Sequence, residues 1–238
     1  MKSSTSPVSG DSGVIDSFVD ERLKWHNGFP NHQIEEGGRA LLIEPTPKKD
    51  YWSRTFYEPL LVKHDAECLL TPVAADIEAT IKTSFTLRPC EQFDQAGIMV
   101  LVDENCWVKA GIEFTDGIPR LSCVVTNDGY SDWSTQEWAD WDEAARSTSI
   151  RVRLSKILPG SEQGPAVIFE AARWEAGTSV DSQARWFQVR IASLRSNSQP
   201  WKMGLFAISP IAGGSSTRFH HIKLGPKEEP VHCAEAGI

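Results

Sequence analysis

The run Trp107-Val108-Lys109-Ala110-Gly111-Ile112-Glu113-Phe114 alternates, and alternate residues of an extended strand face the same side. Trp107, Lys109, Gly111 and Glu113 then share one face: an aromatic plate, an amine, a gap and a carboxylate. Gly111 leaves room where a side chain would otherwise fill a groove. Val108, Ala110, Ile112 and Phe114 form the other face and are expected in the core. The ammonium of Lys109 lowers the pKa of Glu113 and desolvation by aromatics raises it, so both directions stay open at this point. If desolvation wins, Glu113 suits a general acid or base, with Lys109 or Arg54 stabilising a developing enolate or phenolate. The competing reading is a solvated outer face on which these residues are merely polar.

A second run, Tyr51-Trp52-Ser53-Arg54-Thr55-Phe56-Tyr57, puts Trp52, Arg54 and Phe56 on one strand face, again tryptophan with a cation. Glu113, Lys109 and Arg54 are the candidate catalytic residues. Trp52, Trp107, Trp133, Phe56 and Gln95 are the candidate ligand contacts. Trp133, Trp138 and Trp141 sit among Asp132, Glu137, Asp140 and Asp142, where mouth-lining aromatics stack on sugars or planar rings. Trp25, Trp174 and Trp186 are expected to cover sheets or fill the core.

Other chemistries find little support. His220 and His221 are adjacent, so on a regular strand they point to opposite faces and cannot grip one metal together. His26, His32 and His64 are scattered, and no metal is expected. Gly37-Gly38 and Gly213-Gly214 belong to no phosphate-binding signature, so no nucleotide cofactor is implied. No Gly-x-Ser-x-Gly elbow exists for a hydrolase triad. Cys106 falls on the core side with Val108 and Ala110, as a structural cysteine does.

The elements that must position these residues read as strands: 40–43, 51–57, 68–70, 77–87, 96–102, 106–114, 120–127, 150–158, 166–172, 186–192, 202–209 and 216–224. Many short strands punctuated by turns predict a sandwich. Thr115-Asp116-Gly117 and Asn127-Asp128-Gly129 place glycine where a hairpin needs a positive φ. Ser134-Thr135-Gln136-Glu137 fits a helix-capping box leading into Trp138 and Trp141, and a polar loop with aromatic anchors is the alternative.

A formal net charge of −8 disfavours a phosphate backbone, so nucleic acid is not an expected partner. No apolar run is long enough to cross a membrane, and the N-terminus MKSSTSPVSGDSG lacks the apolar stretch of a secretory signal. Cys68, Cys90, Cys106, Cys123 and Cys233 contain no CxxC pair, which points to a reducing cytoplasm. A Ser/Gly/Pro-rich extension is expected over 1–13, one domain over 14–224, and a Pro/Glu/Gly-rich tail over 225–238, with no linker that would divide two domains.

YWSRTFY (51–57), DQAGIMVLVDENCWVKAGIEFTDG (94–117), LSCVVTNDGYSDWS (121–134) and GLFAISP (204–210) resemble the motifs of the regulation-of-enolase family. The similarity spans about residues 15 to 224. Family members usually carry an Asn-Glu-Pro turn after the first tryptophan, where this chain reads Trp25-His26-Asn27-Gly28-Phe29-Pro30. The resemblance implies an all-β, two-sheet antiparallel jelly-roll sandwich of the concanavalin A-like type. It implies less about function, because members are described as regulatory, as carbohydrate-active by analogy, or as products of fungal gene clusters for secondary metabolites.

With no cofactor or metal signature, the expectation is a cofactor-independent cyclase or isomerase, of fungal type, acting on a small hydrophobic organic substrate in the jelly-roll groove, as a monomer or homodimer. The alternative is a non-catalytic carbohydrate-binding or metabolic regulatory protein. Glycoside hydrolysis needs a second opposed carboxylate, and the sequence offers only Glu113.

Overall fold

A computed structural model describes residues 13–158, 164–179, 182–195 and 199–232. The strands, in chain order, are β1 (Lys24–His26), β2 (Asn31–Glu35), β3 (Ala40–Glu44), β4 (Tyr51–Ser53), β5 (Val62–His64) and β6 (Cys68–Val73). There follow β7 (Ala79–Arg88), β8 (Gln95–Asp103), β9 (Cys106–Thr115), β10 (Ile118–Asn127), β11 (Tyr130–Glu137) and β12 (Trp141–Asp142). The last are β13 (Ser147–Ile157), β14 (Ala166–Ala172), β15 (Phe187–Ser193), β16 (Trp201–Ile208) and β17 (Ser216–Pro226).

A seven-stranded sheet runs β1-β6-β16-β8-β9-β10-β11 and an eight-stranded one runs β15-β14-β13-β7-β17-β3-β2 with β12 beside β13. β4 and β5 form a small ribbon of their own. Alternation buries one face of each large sheet against the other, the arrangement of a jelly-roll sandwich. Val108, Ala110 and Ile112 of β9 lie in this inter-sheet core with Ile150, Val152 and Leu154 of β13. Phe114 faces the same way but sits outside that cluster, its ring 5.7 Å from that of Trp141.

A second apolar cluster covers the outer face of the seven-stranded sheet. Trp107, Met99, Leu101, Val124 and Phe206 project outward, and Tyr51, Trp52 and Ala66 from the β4–β5 region close over them. Trp107 is completely buried, with the Tyr51 ring 5.5 Å away and edge-on. Burying so much apolar area on the outer face, at roughly 25 cal/mol per Å², fixes the 51–66 segment as a cover.

The structure corrects several expectations. The strand expected over 51–57 ends at Ser53, because Arg54 and Phe56 adopt positive φ (63° and 73°) in a turn. The segment at Ser134 is neither helix nor loop: it lies within β11, which pairs with β10 along its length. The tight turn at Asp128-Gly129 brings this segment back beside β10 before a helix can form. His220 and His221 do not point to opposite faces, since a bulge between Phe219 and His221 breaks the alternation. His220 Nε2 lies 2.9 Å from Thr86 Oγ1 and His221 Nδ1 lies 3.0 Å from Ser84 Oγ, both on one face of β7.

The expected N-terminal extension, apart from Gly13, lies outside the described residues, as do 233–238 of the expected tail. Nearer the core, Glu228 pairs with Lys82 at 2.6 Å and the Val231 amide donates to Glu170 Oε1 at 2.6 Å. No helix among the described residues is long and apolar enough to cross a membrane.

Candidate functional site

β9 directs Lys109 and Glu113 to the outer face of the seven-stranded sheet, while its core residues point inward. Gly111 between them answers to the backbone. It pairs with Gly97 of β8, and a Cβ on Gly111 would fall 2.0 Å from the Ala96 carbonyl oxygen. The glycine is therefore required by strand approach, a stronger demand than an open gap for a ligand. On the other side, Ser122 stands opposite Gly111, Val124 opposite Lys109, and Trp133 of β11 opposite Val124. These cross-strand neighbours put a hydroxyl and an indole within reach of Glu113.

Glu113 is 5% exposed. Ser122 Oγ donates to its Oε2 at 2.6 Å, and Trp133 Nε1 donates to the same oxygen at 3.0 Å while lying 2.9 Å from Ser122 Oγ. Among the described residues both of these hydrogen bonds fall on Oε2 and none on Oε1. Burial pushes the Glu113 pKa above the usual carboxylate range, against the ammonium of Lys109 and the Ser122 hydrogen bond; Asp50 pushes it further up and Trp133 opposes. Desolvation thus wins the contest left open by the sequence. Lys109 Nζ pairs with Asp50 Oδ1 at 2.9 Å, and that oxygen also accepts from the Tyr51 amide.

Lys109 and Glu113 open onto a cavity of about 100 Å³. Trp52 and Trp133 form perpendicular walls, ring centres 6.4 Å apart, and Tyr57 meets Trp52 edge-on at 5.2 Å. Leu61, Phe93, Val124 and Pro210 complete a mostly apolar lining, with Asp50 as its second carboxylate. Burial, with the nearby charges of Glu113 and Asp50, raises the Tyr57 pKa, so its phenol stays protonated and can donate.

Of the residues singled out in the sequence, Glu113, Lys109, Trp52 and Trp133 line this cavity. Trp107 lies beneath it in the outer cluster and does not reach it. Gln95 is buried opposite Glu113 in the β8–β9 ladder, its amide donating to the Phe93 carbonyl at 3.1 Å. Arg54 is exposed and rests over the Tyr130 ring at 5.7 Å. Phe56 is 88% exposed and touches Tyr57 edge-on. Sequence reasoning missed Asp50, Tyr57, Ser122 and Phe93.

Among the described residues no group of three or more His, Cys, Asp or Glu side chains is placed to hold a metal ion. Cys106 is buried in the inter-sheet core and its thiol is pushed up to about 12 by burial, with Asp103 and Asp128 adding to it, so it is no nucleophile at neutral pH.

Residues 25–227 match the model of a family described as "Protein of unknown function (DUF1349)". The chain is 36% identical over 127 residues to "Regulation of enolase protein 1" of Saccharomyces cerevisiae, a match covering 53% of this chain and 60% of that protein. An uncharacterized protein of Emericella nidulans is 29% identical over 96 residues, covering 39% of this chain and 46% of its own length. The matches thus span about half the length of these curated relatives.

Among solved structures, a functionally unknown protein from Saccharomyces cerevisiae superposes with a TM-score of 0.68 at 28% identity, covering 87% of this chain and 97% of that one. A bifunctional GH43-CE protein of Bacteroides eggerthii superposes with a TM-score of 0.62 at 12% identity, over 89% of this chain and 24% of that one, which is a likeness of fold alone.

Proposed function

Since the chain belongs to the DUF1349, or regulation-of-enolase, family, whose function is unknown, we propose from the site itself that it takes one ring of a neutral organic molecule into the cavity and that Glu113 exchanges a proton with it. The reaction class is a cofactor-free isomerisation or cyclisation of a lipophilic intermediate, of the kind made in fungal secondary metabolism. One observation carries the reading: a carboxyl with a burial-raised pKa, anchored through Oε2 by Ser122 and Trp133, stands on the wall of a mostly apolar cavity. An acid tuned upward by its surroundings is what proton transfer near neutral pH requires. A volume of about 100 Å³ suits a single ring. The rest of a larger substrate would lie across the exposed Phe56 and Leu60. The free state of Cys68, Cys90, Cys106 and Cys123 supports a reducing cytoplasmic setting.

The test is deuterium uptake at the γ-carbon of 2-cyclohexenone in heavy water, a one-ring probe whose enolisation needs an acid or base. The wild-type chain accelerates uptake, and Glu113→Gln lowers the acceleration by roughly a hundredfold or more. Equal rates for both proteins, with saturable binding retained, would favour the second reading, a non-catalytic binding or regulatory protein. That reading draws its support from the perpendicular Trp52 and Trp133 walls, which suit stacking on a sugar ring.

A further inference from the structure

Two hydrogen-bond donors on the walls of the Glu113 cavity lack acceptors of their own. Lys109 is buried and gives one ammonium proton to Asp50 Oδ1 at 2.9 Å, its one hydrogen-bond partner among the described residues. An ammonium carries three protons, so two are left beside the cavity that Lys109 lines. Tyr57 lines the same cavity, and its hydroxyl feels the charges of Glu113 and Asp50 but hydrogen-bonds to no described residue. The turn that carries Tyr57 is tied down. Its amide donates to the Thr55 carbonyl at 2.9 Å, the Trp52 indole donates to that carbonyl at 3.0 Å, and the Arg54 amide donates to the Leu61 carbonyl at 2.9 Å. Arg54, expected from the sequence to meet a developing oxyanion, does not line the cavity.

A donor on a mostly apolar wall is costly to desolvate unless the occupant accepts from it. In a cavity of about 100 Å³ any occupant lies within reach of both donors, and the aromatic walls ask for an apolar body. We propose that the substrate class of this cavity is a cyclic ketone, its carbonyl oxygen held by the Tyr57 hydroxyl and the Lys109 ammonium and its ring against Trp52 and Trp133. A hydrocarbon ring offers these donors nothing. An anionic head group would meet the Asp50 carboxylate, which already matches the charge of Lys109. The chemical consequence rests on the proton-transfer reading. When the ionised form of Glu113 takes a proton from the carbon next to the carbonyl, the C–H electron pair forms the enolate double bond and the carbonyl pair moves onto oxygen, where the two donors meet the new charge. The proton then returns from Glu113 to the ring and the carbonyl re-forms.

The test is infrared spectroscopy of bound 2-cyclohexenone, isotopically labelled at its carbonyl so that the band stands clear of the protein's own. The band should lie at lower frequency than in water, because donors in a low-dielectric cavity polarise the bond more strongly. Tyr57→Phe keeps the ring against Trp52 and removes the hydroxyl. The band should then move back up and Kd for the ketone should rise roughly threefold to tenfold, the loss of one hydrogen bond, while Kd for cyclohexene, which has no acceptor, stays the same. Lys109→Met should move the band in the same direction and serves as the second variant. Glu113→Gln should keep the band where it is in the wild-type chain, so that lost deuterium uptake with an intact band separates proton transfer from carbonyl binding. No binding of the ketone, a bound band at its frequency in water, or a band that neither Tyr57→Phe nor Lys109→Met moves would overturn the proposal, whatever Glu113 does to the exchange rate.

Discussion

The indole Nε1 of Trp133 lies 3.0 Å from Oε2 of Glu113, so a cavity wall is also the anchor of the carboxyl it encloses. Trp133→Phe keeps an aromatic wall and removes the donor. Because that hydrogen bond holds the Glu113 pKa down against burial, its loss should move the titration midpoint of Glu113 upward. Denaturant unfolding should show a loss of about 0.5–1.5 kcal/mol, typical of one intramolecular hydrogen bond. An unchanged midpoint by carboxyl-selective NMR would mean the contact does not act on the acid.

Stability should carry the signature of that acid. With its folded pKa above the unfolded value, Glu113 stays protonated in the native chain after the unfolded chain has ionised. The unfolded state then binds fewer protons, so this group's contribution is fully present below the ordinary glutamate value and is lost as pH rises through the folded value. Glu113→Gln should flatten that part of the stability profile, leaving the variant relatively more stable towards neutral pH. Parallel profiles for the two proteins would show that the native carboxyl is not perturbed.

The Lys109–Asp50 pair separates charge from structure. Asp50→Asn strands a cation that is 3% exposed and should cost about 3–5 kcal/mol, whereas Lys109→Met removes the cation itself and should cost less. Their effects on Glu113 should have opposite sign, since Asp50 raises its pKa and Lys109 lowers it. Urea melts together with Glu113 titrations check both. Shifts in the same direction would break the electrostatic account.

On β9 the two faces fail differently. Val108→Ala trims a fully buried side chain and should destabilise by about 1–3 kcal/mol. Gly111→Ala, by contrast, drives a methyl into the Ala96 carbonyl and should be worse than Val108→Ala, with β8 and β9 forced apart. Thermal unfolding ranks them; a milder Gly111→Ala would show that the strands can part without loss.

The hairpin side of the cavity, Lys109, Glu113, Val124 and Trp133, was written in two turns. With Asp116-Gly117 and Asp128-Gly129 as two-residue loops, counting back along each hairpin sets Ser122 opposite Gly111 and Trp133 opposite Val124. Ser122 could thus have been found from the sequence, and Trp133 assigned to a strand, had the capping-box pattern at Ser134 not drawn attention to a helix. Asp50, Tyr57 and Phe93 were beyond such counting. Asp50 and Tyr57 come with the cover that folds over the outer face, and Phe93 comes from the loop before β8, so their meeting at the cavity is a long-range packing outcome with no local period. The same cover explains Arg54 and Phe56: alternation was extended past Ser53, where the chain turns.

For proton transfer, Glu113 must face the cavity as a neutral acid at pH values where ordinary glutamates are ionised. Infrared difference spectroscopy between the wild-type chain and Glu113→Gln isolates its carbonyl band. A protonated carboxyl band is expected to persist above the ordinary glutamate pKa of about 4.3 and to be missing from the variant. A carboxylate band already complete at or below that value would contradict it.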